Sequence, residues 1–351
     1  MRRRPWIAFI GLLAACAAPA GPSPAAPSPA APLPSTPPSA SAASSASEAA
    51  EGSGSSLVFD WPDGETPAVT RGLTGIGRSF INPGAVIDHD GTLHMFANVF
   101  SAWPGEVQVP HLMSSDGVSW ELAAEEPIMT SADVPFASSG HDVSTGFVTS
   151  DGTWVLVLQS VSSTEPWEIG LATATGPDGP WTIAPEPVLT AGEAGSPDAA
   201  GLAWPSVVAT DDGYAMYYTA RAGGLRGGTI AMATSSDGLT WTKSDEPVLT
   251  AEAEWEGMIL DRPRVAGTPD GFVMLYAGGT LTDRGVAWSD DGVTWLRDGD
   301  APAITADDFP VPGQAWDAAL VHRDGELTYY LEIGSGTGAG TEVYRATAEL
   351  P

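Results

Sequence analysis

Ser289-Asp290-Asp291-Gly292-Val293-Thr294-Trp295 decides how this chain is read, because it recurs. Near-copies stand at Ser115-Asp116-Gly117-Val118-Ser119-Trp120 and Ser236-Asp237-Gly238-Leu239-Thr240-Trp241, with a looser one at Gly176-Pro177-Asp178-Gly179-Pro180-Trp181. Their glycines lie 62, 59 and 54 residues apart. A proline-apolar element follows each copy: Glu126-Pro127-Ile128-Met129-Thr130, Glu186-Pro187-Val188-Leu189-Thr190, Glu246-Pro247-Val248-Leu249-Thr250 and Ala301-Pro302-Ala303-Ile304-Thr305. Two independent markers on one period define a repeat architecture, and the repeat has to be read before any site.

A second series of Asp-Gly pairs falls at Asp90-Gly91, Asp151-Gly152, Asp212-Gly213, Asp270-Gly271 and Asp324-Gly325, each flanked by short apolar runs. Asp-Gly between such runs is a hairpin signal, since both residues tolerate positive φ. No stretch carries a sustained 3.6-residue apolar period, so little helix is expected. Each unit reads as four strands: into the hairpin, out of it, a third strand, and an outer one after the Asp-Gly-x-x-Trp turn. Four strands every 55–60 residues, five times over, predict an all-β, five-bladed β-propeller with four-stranded blades. The chain ends after the third strand of unit five, Glu342 to Ala348, so Leu57-Val58-Phe59 is expected to close the last blade from the start of the domain. The turn tryptophans Trp120, Trp181, Trp241 and Trp295 are then packing residues.

The first 55 residues have another texture. Arg2, Arg3 and Arg4 precede an apolar run, Trp6 to Ala15, too short to span a bilayer comfortably. Leu13-Ala14-Ala15-Cys16 closes that run and resembles the lipobox of bacterial lipoproteins. The resemblance implies a signal peptide over 1–15, a lipidated Cys16, and an exported protein anchored to the cell membrane and facing outward. Residues 16–55 are Pro-, Ala- and Ser-rich and read as a disordered tether, leaving 56–351 for the propeller. Cys16 is the one cysteine, which excludes an intrachain disulfide.

With 44 acidic against 14 basic residues the chain carries a formal charge of −30. Such a surface repels phosphate backbones and anionic lipid, which excludes nucleic acid as a partner and leaves the membrane only through the anchor. A neutral oligosaccharide or polysaccharide is the expected ligand, and a monomer the expected state.

Five units that run apolar start, Asp-Gly hairpin, Asp-Gly-x-x-Trp and Pro-apolar resemble the five-bladed propellers of the carbohydrate-active clan. That clan includes glycoside hydrolase families 43, 32 and 62 and the mannoside phosphorylases of family 130. The Asp-Gly-x-x-Trp turn also resembles the sialidase Asp-box, which carries one more residue between Asp and Gly. The clan resemblance implies that the start of each inner strand faces a central funnel. It thereby groups Asn82, His141-Asp142, Trp204, Asp261-Arg262 and Trp316-Asp317. Carboxylates for acid-base work and indoles for the apolar face of a sugar are what such a site needs. Asp142, Asp261, Asp317 and Glu256 (by likeness of Glu256-Gly257 to the family 43 acid) are the candidate catalytic groups. Asn82, His141, Trp204, Arg262 and Trp316 are the candidate substrate contacts.

Many clan hydrolases place an aspartate base in blade 1, where this chain has Asn82-Pro83-Gly84, and an amide cannot accept a proton from water. Three readings therefore stay open: a glycosidase, a non-catalytic glycan-binding propeller, and a family 130-like phosphorylase whose phosphate would meet Arg221, Arg226, Arg262 or Arg264. No metal-ligand spacing occurs in the sequence; the resemblance alone leaves room for a calcium on the propeller axis.

Overall fold

The computed structural model describes residues 57–223, 228–334 and 340–351. Cys16, the signal, the tether and Arg226 lie outside the described residues. The described residues form strands and short 3-10 turns but no α-helix, and the strands make five antiparallel sheets. Each sheet is one sequence repeat, as the two Asp-Gly series require.

The five inner strands are Phe80–His89, His141–Val148, Leu202–Thr210, Leu260–Thr268 and Gln314–Arg323. Every one turns at an Asp-Gly hairpin into a second strand that is almost wholly buried: Thr92–Phe100, Trp154–Ser160, Gly213–Ala220, Gly271–Gly278 and Glu326–Gly334. Third strands and two-residue outer strands complete blades 1 to 4, the third strand of blade 1 being interrupted at Pro110, which has no N–H to donate. Blade 5 contributes three strands of its own. Its fourth position is taken by the start of the domain: Asp60 and Thr347 exchange both backbone hydrogen bonds, at 2.8 and 2.9 Å, and Val69 pairs with Val343. Pairing therefore begins one residue beyond the expected Leu57-Val58-Phe59, of which Leu57 and Phe59 instead pack their side chains against blade 5.

The repeated turn has a local cause. In three copies the aspartate Oδ1 accepts the next two backbone N–H groups after the glycine at 2.7–2.9 Å, and the preceding serine hydroxyl accepts the glycine N–H at 2.8 Å. These backbone donors pull the Asp116, Asp237 and Asp291 carboxyls down to about 2. The looser copy cannot do this, because Pro180 removes one donor. Its Asp178 instead accepts from His111 Nδ1 at 3.1 Å. Trp120, Trp241 and Trp295 are buried between blades, the first and last edge-on to Tyr330 and Tyr217.

Leu57 is 3% exposed within the cluster that also holds Leu327, Tyr329 and Leu331 of blade 5. Leu57→Ala should cost about 2–5 kcal/mol of stability, as for any core leucine. A chemical denaturation curve unchanged by that substitution would contradict closure of the ring by this segment.

Candidate active site

On the face where the inner strands begin, residues from all five blades surround a pit of about 420 Å³. Its wall holds six of the nine funnel positions read from the sequence: Asn82, Asp142, Trp204, Arg262, Trp316 and Asp317. The backbone explains the convergence. Four inner strands carry a two-residue bulge near their start, at 83–84, 204–205, 262–263 and 316–317, and blade 2 carries a one-residue bulge at Ser144. A bulge re-aims side chains and leaves ladder groups unpaired. Trp204 and Arg262 occupy it at φ of 49° and 51°, a region that costs a non-glycine residue about 1–3 kcal/mol. Both side chains thereby turn together, and the Arg262 guanidinium lies 4.1 Å over the Trp204 ring.

The floor of the pit is acidic and buried. Asp142, Asp317 and Glu332 are each at most 4% exposed. Asp317 Oδ1 pairs with the Arg264 guanidinium. Its Oδ2 is buried with no hydrogen-bond partner among the described residues, and Asp142 is its acidic neighbour. Two buried carboxyls this close oppose each other's ionisation. Burial first, then the charge of Asp317, holds the Asp142 carboxyl well above the usual range. Asn82 and Gln159 add long hydrogen bonds to it, both 3.4 Å. Glu332, on the second strand of blade 5, is pushed up to about 8 by burial and by the charge of Asp317.

Three predicted residues have other work. Glu256 does not line the pit. Its carboxylate receives Arg297 Nε at 2.7 Å, Tyr276 Oη at 2.6 Å and the backbone N–H groups of Glu252 and Ala253. Burial opposes its charge, but these bonds outweigh burial and hold the carboxyl below its ordinary range. The sequence position repeats one blade earlier, where Asp198, also four residues before its inner strand, pairs with Lys243. Lys243 and Arg297 each also donate to a threonine carbonyl, of Thr190 and Thr250. Glu256 is thus a blade clasp rather than a funnel acid. His141 is fully buried outside the pit wall, hydrogen-bonded to Ser131 at 3.2 Å, and burial pushes its imidazole down to about 4. Asp261 lies directly behind the wall, taking bonds from Thr219 Oγ1 at 2.9 Å and Arg262 N at 2.9 Å and pairing with Arg262 Nη1 at 3.1 Å. It positions Arg262.

Sequence reasoning missed Glu332, Thr341, Phe80 and Phe100, which line the pit together with Trp103. A signal for Glu332 existed: a charged residue inside the apolar run Leu327-Thr328-Tyr329-Tyr330-Leu331-Glu332-Ile333. An axial calcium does not fit this protein. Arg264 is buried where blades 3, 4 and 5 meet, and its guanidinium donates to the carbonyls of Trp204, Pro263 and Ala318 as well as to Asp317. Among the described residues no group of three or more His, Cys, Asp or Glu side chains could hold a metal. A wider hollow of about 1,300 Å³ between blades 3 and 4 is edged by turn aspartates such as Asp291, whose carboxylate is committed to its own turn.

Comparison with solved structures gives many matches in shape. One described as a glycoside hydrolase has a TM-score of 0.65 at 17% identity, covering 84% of this protein and 93% of its own length. The likeness is one of fold. A thermostable family-43 glycoside hydrolase matches at 0.60 and 16%, covering 78% of this protein and 89% of its own length. A GH43_1 enzyme from Xanthomonas citri complexed with xylotriose matches at 0.57 and 16%, covering 82% and 89%. No family model matches the sequence, and no curated protein matches it.

Glu332 makes stability depend on pH with a definite sign. Its folded-state value of about 8 lies above the 4.5 of the unfolded chain, so between those values the folded protein holds the extra proton. Its contribution is full below about 4.5 and is lost as pH rises through about 8. Melting temperatures of Glu332→Gln measured against the parent from pH 5 to 9 should therefore diverge in favour of the variant as pH rises. Parallel curves would mean that Glu332 is not a buried neutral acid.

Proposed function

We propose that this protein hydrolyses O-glycosidic bonds of neutral oligosaccharides in the five-blade pit, and that it acts as a monomer held at the outer cell surface through lipid on Cys16. One observation carries the reading: Asp317, ion-paired with Arg264, and Glu332, whose buried carboxyl is pushed up to about 8, line the same indole-walled cavity. Two carboxyl groups in opposite protonation states are what cleavage through an oxocarbenium-like transition state requires. Glu332 donates the proton to the departing oxygen. Asp317, anchored by Arg264, is the carboxylate that attacks or activates water, and the Asp142 proton tunes its basicity. Trp204 and Trp316 offer the apolar faces on which a pyranose packs. The solved neighbours support this reading, being glycoside hydrolases, one of them complexed with xylotriose.

Asn82 favours a second reading, a propeller that binds glycan without cutting it, because the amide stands where clan hydrolases carry a base. The phosphorylase reading is weaker. Among the described residues Arg262 is the one arginine on the pit wall, and it is already paired with Asp261.

A panel of aryl glycosides, with and without phosphate, separates the three. Phosphate-independent release is expected. Asp317→Asn and Glu332→Gln should each lower kcat by about 10²–10⁴-fold with the fold intact. The parent rate should fall as pH rises through about 8, where Glu332 loses its proton. Full activity in either variant would refute the assignment, and binding without turnover would leave the lectin-like reading. For the anchor, cells fed a labelled fatty acid should label the parent protein and leave Cys16→Ser unlabelled.

A further inference from the structure

The four outer turns of the repeat are not equivalent, and the odd one alters what faces solvent. In blades 1, 3 and 4 the turn tryptophans Trp120, Trp241 and Trp295 are at most 8% exposed. In blades 1 and 4 a tyrosine of the preceding blade holds the turn. Tyr330 Oη donates to Gly117 O at 2.8 Å, and Tyr217 Oη donates to Gly292 O at 2.6 Å. The blade 2 copy meets Phe96 instead, which has no hydroxyl to donate. Pro180 further removes an N–H that the turn aspartate would accept. Trp181 is only half-buried and Asp178 is exposed, and both line one hollow of about 520 Å³ on the outer rim between blades 1 and 2. That hollow shares no lining residue with the pit.

The indole is held in place: its Nε1 donates to Pro177 O at 3.2 Å, and its ring stands edge-on to Phe96 at 5.5 Å. Around it lie side chains with no hydrogen to donate, the exposed Pro135, Pro180 and Pro185 and the half-buried Ile128 and Ile183. Two carboxylates complete the lining, and each commits one oxygen to the fold. Asp178 Oδ1 accepts from His111 Nδ1 at 3.1 Å, and Asp133 Oδ2 accepts from Thr130 N and Oγ1 at 2.8 and 2.9 Å. The second oxygen of each is an acceptor for a ligand. Among the described residues no Lys, Arg or His lines the hollow. An occupant therefore needs an apolar face for the indole and prolines, donors for the aspartates, and no negative charge. A sugar ring meets all three conditions, with C–H bonds on its face and hydroxyls at its edge. A peptide would bring backbone carbonyls, for which these side chains have no free donor.

We infer that this rim hollow is a second carbohydrate site, a platform on which a neutral glycan packs against Trp181 with its hydroxyls on Asp133 and Asp178. It takes no part in bond cleavage. The inference shares with the hydrolase reading its class of ligand, a neutral glycan, and shares neither its site nor its chemistry.

The test measures retention of the full-length protein on insoluble xylan, arabinan, mannan and cellulose, with insoluble polygalacturonate as the acidic counterpart. Retention is expected on at least one neutral glycan and not on polygalacturonate. Trp181→Ala should weaken it by about tenfold or more, as loss of a central aromatic anchor does, while Trp181→Phe keeps most of it. Aryl glycoside turnover by Trp181→Ala should equal that of the parent, and Asp317→Asn in the pit should be retained as the parent is. Retention on no neutral glycan, equal retention on polygalacturonate, full retention of Trp181→Ala, or loss of retention in Asp317→Asn alone would each overturn the inference. Should Trp181→Ala lose turnover and retention together, Pro185→Glu decides, because it sets a third carboxylate on the exposed lining without touching the core. Weakened retention of that variant supports the platform, and full retention overturns it. Absence of aryl glycoside turnover by the parent would refute the hydrolase reading and leave the retention results to decide this one.

Discussion

The structure depends on how the inner-strand bulges have their backbone groups satisfied. A bulge leaves an N–H or C=O without a ladder partner, and a buried group in that state costs about 1–3 kcal/mol. Here side chains from neighbouring blades bond backbone groups in or near the bulges, one blade after another. Asn98 of blade 1 bonds both the N–H and the carbonyl of Val143 in blade 2. Gln159 of blade 2 accepts from Trp204 N in blade 3, and Thr219 of blade 3 accepts from Arg262 N in blade 4. Arg264 of blade 4 donates to Ala318 O in blade 5, and Thr341 of blade 5 bonds both backbone groups of Ile81 in blade 1. The ring is stitched shut at the level of the pit. The contacts that seal the propeller and those that aim the pit residues are therefore the same contacts.

That arrangement explains how so acidic a protein can hold a nearly neutral pit. Arg264 and Arg262 each cancel one aspartate, Asp317 and Asp261. The remaining acids, Asp142 and Glu332, sit so deep that ionisation is unfavourable, and each feels the charge already fixed on Asp317. Burial comes first for both, and Asp317 adds to it. The acidic excess lies away from the cavity, on sites such as the turn aspartates, while the cavity presents neutral acids, one carboxylate and indoles.

The sequence makes the blades legible because each carries two turns whose chemistry is local. Ser-x-Asp-Gly supplies its own acceptors, so the motif means the same thing wherever it falls. Pit residues are legible only through register: Asp142, Trp204, Arg262 and Trp316 can be located by counting back from a hairpin, and a bulge then decides which neighbour points inward. That is why the sequence groups His141 with Asp142 although strand alternation sends it to the other face. Glu256 misleads for a different reason. A carboxylate four residues before an inner strand looks like a funnel acid, yet its counterpart Asp198 shows that the position belongs to the clasp with the outer strand of its own blade, Lys243 in blade 3 and Arg297 in blade 4. Counting back along inner strands cannot reach Glu332, since it enters the pit from a second strand.

Asn82 shows why blade 1 brings no ionisable group to this pit. Its Oδ1 accepts from Gly84 N at 3.0 Å and from Asn98 at 2.7 Å, and its Nδ2 donates to Asp142 at 3.4 Å. The amide is thus an acceptor toward the blade 1 bulge and a donor toward the acid pair. An aspartate there would keep the first role and reverse the second, setting a third carboxylate against Asp142 and Asp317 with Arg264 already committed elsewhere. Of the common side chains of this shape, the amide is the one with an acceptor at one tip and a donor at the other. With Asp142 and Asp317 already neighbours, a neutral donor at position 82 spares the pit a third carboxyl, and the asparagine supplies it.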